Sequence, residues 1–209
     1  MHPLADDYFR LAHRDSTGRS RLNMRAMGVG LAAALLAELV WIPKIALRDG
    51  LVCVTDRTPP EDVLAHGVLD QLVAEPRHRE VRVWLDVLSR DAYERVAQRL
   101  WRAGHVRRVT GRRLLRSSVT WVPTDMTAAY LPWWRLSTLL SEQRPMDHGD
   151  AFLAGLAVST GLDGELLQDA PVAARRYASQ LVVTAWPPLR ELLVHTQAAV
   201  GDAVLLYRT

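Results

Sequence analysis

Apolar and polar positions recur along this chain mostly with a helical period. Leu4, Tyr8, Phe9, Leu11 and Ala12 predict a first helix over Pro3 to Ala12. Asp15 to Arg21 (DSTGRSR) clusters turn formers, with Gly18 suited to positive φ. A helix then runs from about Asn23, a candidate cap, to Trp41. Its stretch Ala26 to Val40 (AMGVGLAAALLAELV) is apolar all round except for Glu38. Crossing a bilayer takes roughly 20 apolar residues. This run is shorter, rich in Ala and Gly, and followed by Pro43 and Lys44, so it reads as a buried core helix and not a span.

Ile45 to Leu47 and Leu51 to Val54 flank Asp49-Gly50, a two-residue hairpin signal. Thr58-Pro59-Pro60-Glu61-Asp62 predicts a helix start, with proline early and acids in the first turn. That helix extends to about Ala74. Helices follow over Arg82 to Leu88 and Asp91 to Ala103, the second ending at Gly104. In His105 to Val122, Thr110-Gly111 is a candidate turn of a second hairpin. Pro132 to Glu142, Gly149 to Thr160, Leu162 to Asp169, Val172 to Leu181 and Pro187 to Tyr207 read as helices. There is no repeat and no long linker. The expectation is a mainly α fold: one compact helical domain over residues 1–209, built round a buried small-residue helix, with one or two small β-hairpins.

Composition sharpens this reading. Of 209 residues 49% are hydrophobic, enough for a substantial core, and the net charge is only +3. Lys44 is the only lysine, so nearly all positive charge is arginine, whose planar fork grips phosphate with two hydrogen bonds. Cys53 is the only cysteine, which excludes an internal disulfide and any multi-thiolate metal site. Met1 to Arg10 carries Asp6 and Asp7 and no apolar signal core, so a cytoplasmic chain is expected.

Arg95, Arg99 and Arg102 stand at i, i+4, i+7, on one helix face. Arg107, Arg108, Arg112, Arg113 and Arg116 follow in the second hairpin, with Leu114 and Leu115 between the last two. Such an apolar pair can dip into the interfacial layer while the arginines hold anionic head groups. The alternative is a solvated basic face. A helix followed by a basic hairpin also describes a winged helix, but no helix-turn-helix pair precedes it, so nucleic acid is not the expected partner. The Asp6-Asp7 pair reads either as a magnesium site for diphosphate chemistry or as acids at a helix N-terminus. The tryptophans at 41, 84, 101, 121, 133, 134 and 186 read as pocket lining or as core. The histidines lack metal-ligand spacing, and no nucleophile elbow or phosphate-cradling glycine loop is present. The residues themselves point to no enzyme class and no metal.

Several segments together form a family pattern: LADDYFRLAHRD (Leu4 to Asp15), Gly18, Gly30-Leu31 and Leu35 to Leu39; then Thr58 to Leu64; then Val81 to Ser89, Arg95 to Leu100 and Gly104; and the later helices in order. Over nearly its whole length the chain resembles the Golgi phosphoprotein 3 family, in its compact bacterial, actinobacterial-type branch. The resemblance implies a mostly helical fold. It also implies docking on membranes, since eukaryotic members bind phosphatidylinositol 4-phosphate and hold glycosyltransferases at the Golgi. Their head-group pocket uses a tryptophan, an arginine and two further basic residues. Here those positions carry Asn23, Ala32, Arg90 and Tyr93, so only Arg90 is carried over. Arg95 fits a nearby family arginine, and Arg19, Arg21 and Arg25 stand close to Asn23 in sequence. The family's hydrophobic hairpin, used in membrane contact and self-association, aligns with about Arg107 to Val122. It implies membrane contact through Arg112, Arg113, Leu114, Leu115 and Arg116, and a homo-oligomer through the same hairpin.

The expected function is therefore a peripheral membrane protein that binds anionic, phosphoinositide-like head groups, with no cofactor. The alternative is a magnesium-dependent, terpene cyclase-like enzyme acting on an isoprenoid diphosphate. In that reading the head-group pocket is repurposed and Asp6 and Asp7 are the catalytic candidates.

Overall fold

The computed structural model describes residues 3–113 and 116–206. Ten helices and two two-stranded sheets are seen among them, the mainly α fold expected from the sequence. Helix α1 (Leu4–Leu11) leads through a turn to α2 (Met24–Trp41), whose first turn is capped by the Asn23 side chain accepting from the Ala26 N–H at 2.8 Å. Every residue from Ala26 to Ala37 is buried. Helix α2 is long and apolar enough to cross a bilayer, but 78% of it lies inside the protein. It is the core helix, packed by α1, α3 (Val63–Ala74), α4 (Val81–Ser89), α5 (Ala92–Arg102), α7 (His148–Thr160) and α10 (Pro187–Leu206). Small residues permit this crowding. A Cβ on Gly30 would lie 2.2 Å from the Tyr8 hydroxyl of α1, itself bonded to Thr160 at 3.0 Å.

The first hairpin, β1 (Ile45–Arg48) and β2 (Leu51–Val54), turns at Asp49-Gly50, both at positive φ. The second, β3 (Val106–Arg113) and β4 (Arg116–Pro123), is longer than the sequence suggested. Thr110 and Gly111 do not turn: they pair with Val119 and Ser118, and the ladder continues to Arg113 opposite Arg116. The strand-forming residues Val119, Thr120 and Trp121 supply partners that outweigh the local turn signal of Gly111. Leu114 and Leu115 lie outside the described residues.

Two helix starts also differ from expectation. Helix α3 begins at Val63, not Thr58, because Asp62 is its cap, accepting from the Ala65 N–H at 2.7 Å. The residue before a proline is pushed out of the helical region, which disfavours a start across Thr58-Pro59-Pro60. Helix α6 (Met126–Ser141) begins six residues before Pro132, because Asp125 accepts from the N–H groups of Thr127 and Ala128 at 2.8 and 3.1 Å. Helices α8 (Asp163–Leu166) and α9 (Val172–Thr184) complete the fold.

The turn between α1 and α2 is pinned to the second hairpin. Gly18 has φ +64°, and a Cβ there would sit 2.1 Å from the Trp121 carbonyl oxygen. Trp121 and Val106 are buried at the hairpin root, while Arg107 and Arg108 are exposed.

Candidate head-group site and basic hairpin

The four positions aligned with the family pocket fall into different environments. The Asn23 side chain is used in capping α2. Ala32 is fully buried in α2 and carries no charge. Tyr93 is half-buried, its ring 5.5 Å from Phe9 and 5.7 Å from His13. Arg90, at the end of α4, is exposed and donates to Asp86 at 2.8 Å. Arg25, from the first turn of α2, reaches the other oxygen of Asp86 at 3.6 Å. Two guanidinium groups thus converge on one carboxylate: of the five arginines expected at a head-group site, Arg90 and Arg25 meet, around Asp86. Sequence reading missed Asp86, although its i, i+4 spacing to Arg90 on α4 is a recognisable pairing signal.

The other candidates separate. Arg21 donates to Glu165 at 2.8 Å and to the His13 carbonyl at 3.2 Å, and its guanidinium lies 4.0 Å over the Trp133 ring. It therefore faces α6 and α8, away from Asp86. Arg19 is exposed in the turn and has no acidic partner among the described residues. Arg95 turns to α3, donating to Gln71 at 3.2 Å, with Asp91 at 3.8 Å.

Arg99 is not a surface charge. It donates to Asp6 at 2.8 Å, to Glu38 at 3.2 Å and to Asp62 at 3.0 Å, tying α5 to α1, α2 and the α3 cap. Burial raises Asp6 and Glu38 above the ordinary carboxylate value, and the Arg99 charge opposes that shift. Burial alone would lower Arg99, but Glu38 and Asp6 hold it above its ordinary value and keep it charged. Asp7 turns elsewhere, accepting from Arg10 at 3.1 Å and Arg135 at 3.0 Å. The Asp6-Asp7 pair is thus split between two sets of arginines. No group of three or more metal-ligating side chains forms among the described residues.

At the hairpin root, His13 and Trp121 line a narrow cleft together with Phe9, Val106 and Pro123. His13 Nδ1 lies 2.6 Å from the Phe9 carbonyl, which can only accept, so Nδ1 holds the proton. Nε2 is then a buried acceptor with no partner among the described residues. Burial, partly opposed by the Phe9 bond, lowers the His13 pKa to about 4.

Arg102, Arg107 and Arg108 are exposed with no acidic partner among the described residues, in contrast to Arg99 one turn away. The backbone carries Arg112, Arg113 and Arg116 to the far end of the same ladder. A buried small-residue helix, a short α4, an arginine-bearing α5 and a long basic hairpin follow one another along the chain. The sequence model for Golgi phosphoprotein 3 (GPP34) matches residues 4–204. The chain belongs to this family. Comparison with curated proteins returned no match. Of the pocket positions that the resemblance implied, Asn23, Ala32 and Tyr93 carry no cation, and Arg90 stands with Arg25 at Asp86.

Proposed function

We propose that this family member docks peripherally, from the cytoplasmic side, on membranes containing anionic lipid. Arg107 and Arg108, with Arg112, Arg113 and Arg116 further out, form the electrostatic contact. Arg25 and Arg90 offer two guanidinium groups to a phosphate-bearing, phosphoinositide-like head group that competes with Asp86. The observation that carries this reading is the set of exposed arginines without acidic partners among the described residues: Arg102 at the end of α5, and Arg107 and Arg108 at adjacent positions of β3. Family membership is consistent with it. In the prenyl diphosphate alternative, Asp6 and Asp7 would have to exchange their arginine partners for magnesium.

Vesicle co-sedimentation tests the proposal. Each basic residue near an anionic surface contributes about 1 kcal/mol. Arg107→Gln/Arg108→Gln should therefore weaken partitioning onto phosphatidylglycerol-containing vesicles by roughly 30-fold. Wild-type binding should fall steeply as salt shortens the screening length. Failure of the wild-type chain to bind any acidic lipid at low salt refutes the reading. Adding phosphatidylinositol 4-phosphate, with Arg25→Gln and Arg90→Gln as comparisons, separates head-group recognition from general charge.

A further inference from the structure

The outward face of the first half of α6 carries no charge. Met126, Tyr130 and Trp134 are 60%, 44% and 54% exposed and follow at i, i+4, i+8, with Leu131 beside them at 51%. They form a row of about 12 Å along the helix. The opposite face holds the buried Ala129, Pro132, Leu136 and Leu140. The one charged residue of this helix, Arg135, turns to Asp7 and Asp150 at 3.0 and 2.9 Å. Scattered exposed apolar residues are ordinary, but a contiguous uncharged row of large ones marks an interaction face.

Its composition and position identify the occupant. Tryptophan and tyrosine concentrate at membrane–water boundaries, where ring and polar tip are both accommodated. Only Thr124 and Asp125 separate β4 from α6. Ala128 and Ala129 of its first turn line the same cleft as Val106, Trp121 and Pro123. The apolar row therefore starts at the root of the hairpin that carries Arg107 and Arg108. Unpaired cations beside an aromatic row complement a surface with anionic head groups outside and hydrocarbon beneath.

We propose that the Met126–Tyr130–Leu131–Trp134 face of α6 enters the interfacial layer of an anionic bilayer while the hairpin arginines hold its head groups. This rests on the membrane-docking reading and adds the surface that anchors the protein once charge has brought it there. Charge attraction weakens with salt, whereas burial of these side chains does not.

The test compares the full chain with Met126→Ser/Tyr130→Ser/Trp134→Ser on phosphatidylcholine vesicles containing phosphatidylglycerol, at low and high ionic strength. The wild-type chain should retain part of its binding at high salt, and the variant should bind at least about tenfold more weakly there. Matching circular dichroism and melting curves check its fold. Independently of that variant, lipids brominated along their chains should quench wild-type tryptophan fluorescence, and Trp134→Phe should remove a share of that quenching. If the variant binds like wild type at both salts, or Trp134→Phe leaves the quenching unchanged, the insertion is wrong while docking through the arginines stands. If the wild-type chain does not bind at low salt, the docking reading falls and the insertion with it. If light scattering shows a wild-type dimer that the variant abolishes, the face belongs to a second copy of the chain, and the proposal is overturned.

Discussion

Arg99 sits between Arg95 and Arg102 in sequence, yet its surroundings are opposite to theirs. Three carboxylates on three other segments close on it within 3.2 Å, so its charge is internal. Removing one partner of such a buried set leaves the others uncompensated, at a cost of about 3–5 kcal/mol. Arg99→Met should therefore lower the urea midpoint sharply at neutral pH. Burial already raises Asp6 and Glu38. Without Arg99 both bind protons more readily folded than unfolded, so stability grows as pH falls through their titration. The deficit of Arg99→Met against wild type should shrink on acidification, and urea melts at two pH values read this directly. His13 works in the other direction. Its folded pKa of about 4 lies below the ordinary 6.5, so between those values the unfolded chain binds more protons. The His13 contribution is complete above pH 6.5 and is lost as pH falls toward 4, a swing of about 3 kcal/mol. His13→Phe, which keeps a ring between Phe9 and Tyr93, should flatten that part of the pH profile relative to wild type.

Among the elements, the α1–α2 turn and the second hairpin form one mechanical unit. Gly18 needs its left-handed backbone and leaves no room for a Cβ against the Trp121 carbonyl. Gly18→Ala should cost about 2–4 kcal/mol and lower the melting temperature. Backbone amide exchange should accelerate in β4 as well as in the turn itself. A substitution felt only in the turn would mean that the two are not coupled. The existence of these elements was legible in the sequence: the Asn23 cap, the Asp49-Gly50 turn and the small-residue run of α2 all carry local signals. Their bounds failed where a local signal met a stronger neighbour. Gly111 reads as a turn until Val119 and Ser118 pair across from Thr110 and Gly111. Pro132 reads as a helix start until Asp125 caps α6 upstream.

For the whole molecule, the order of segments made the family legible, because each segment keeps its own local pattern. The site was not legible in the same way. Arg99 meets Asp6 across 93 positions and Arg25 meets Asp86 across 61, separations that no periodicity encodes. The exposed side of α6 was hidden for a related reason. Met126 and Tyr130 fall outside the helix expected from Pro132, and only the Asp125 cap and the packing of Ala129, Pro132 and Leu136 put them on one face with Trp134. Helix α2 passes a length and apolarity test for a span, but its flanks are occupied by six other helices. Chain held on membranes should therefore be released by an alkaline carbonate wash, whereas a spanning helix would remain in the pellet.

The Arg99 cluster also sets how the sequence can drift over generations. A buried ion set can be exchanged for packed apolar side chains without loss, but only if all its charges go together. Relatives in which an aliphatic residue stands for Arg99 should have lost the carboxylates of Asp6 and Glu38 in the same lineage. Asp62 has a second duty at the start of α3, so it should survive that exchange as Asp, Ser, Thr or Asn.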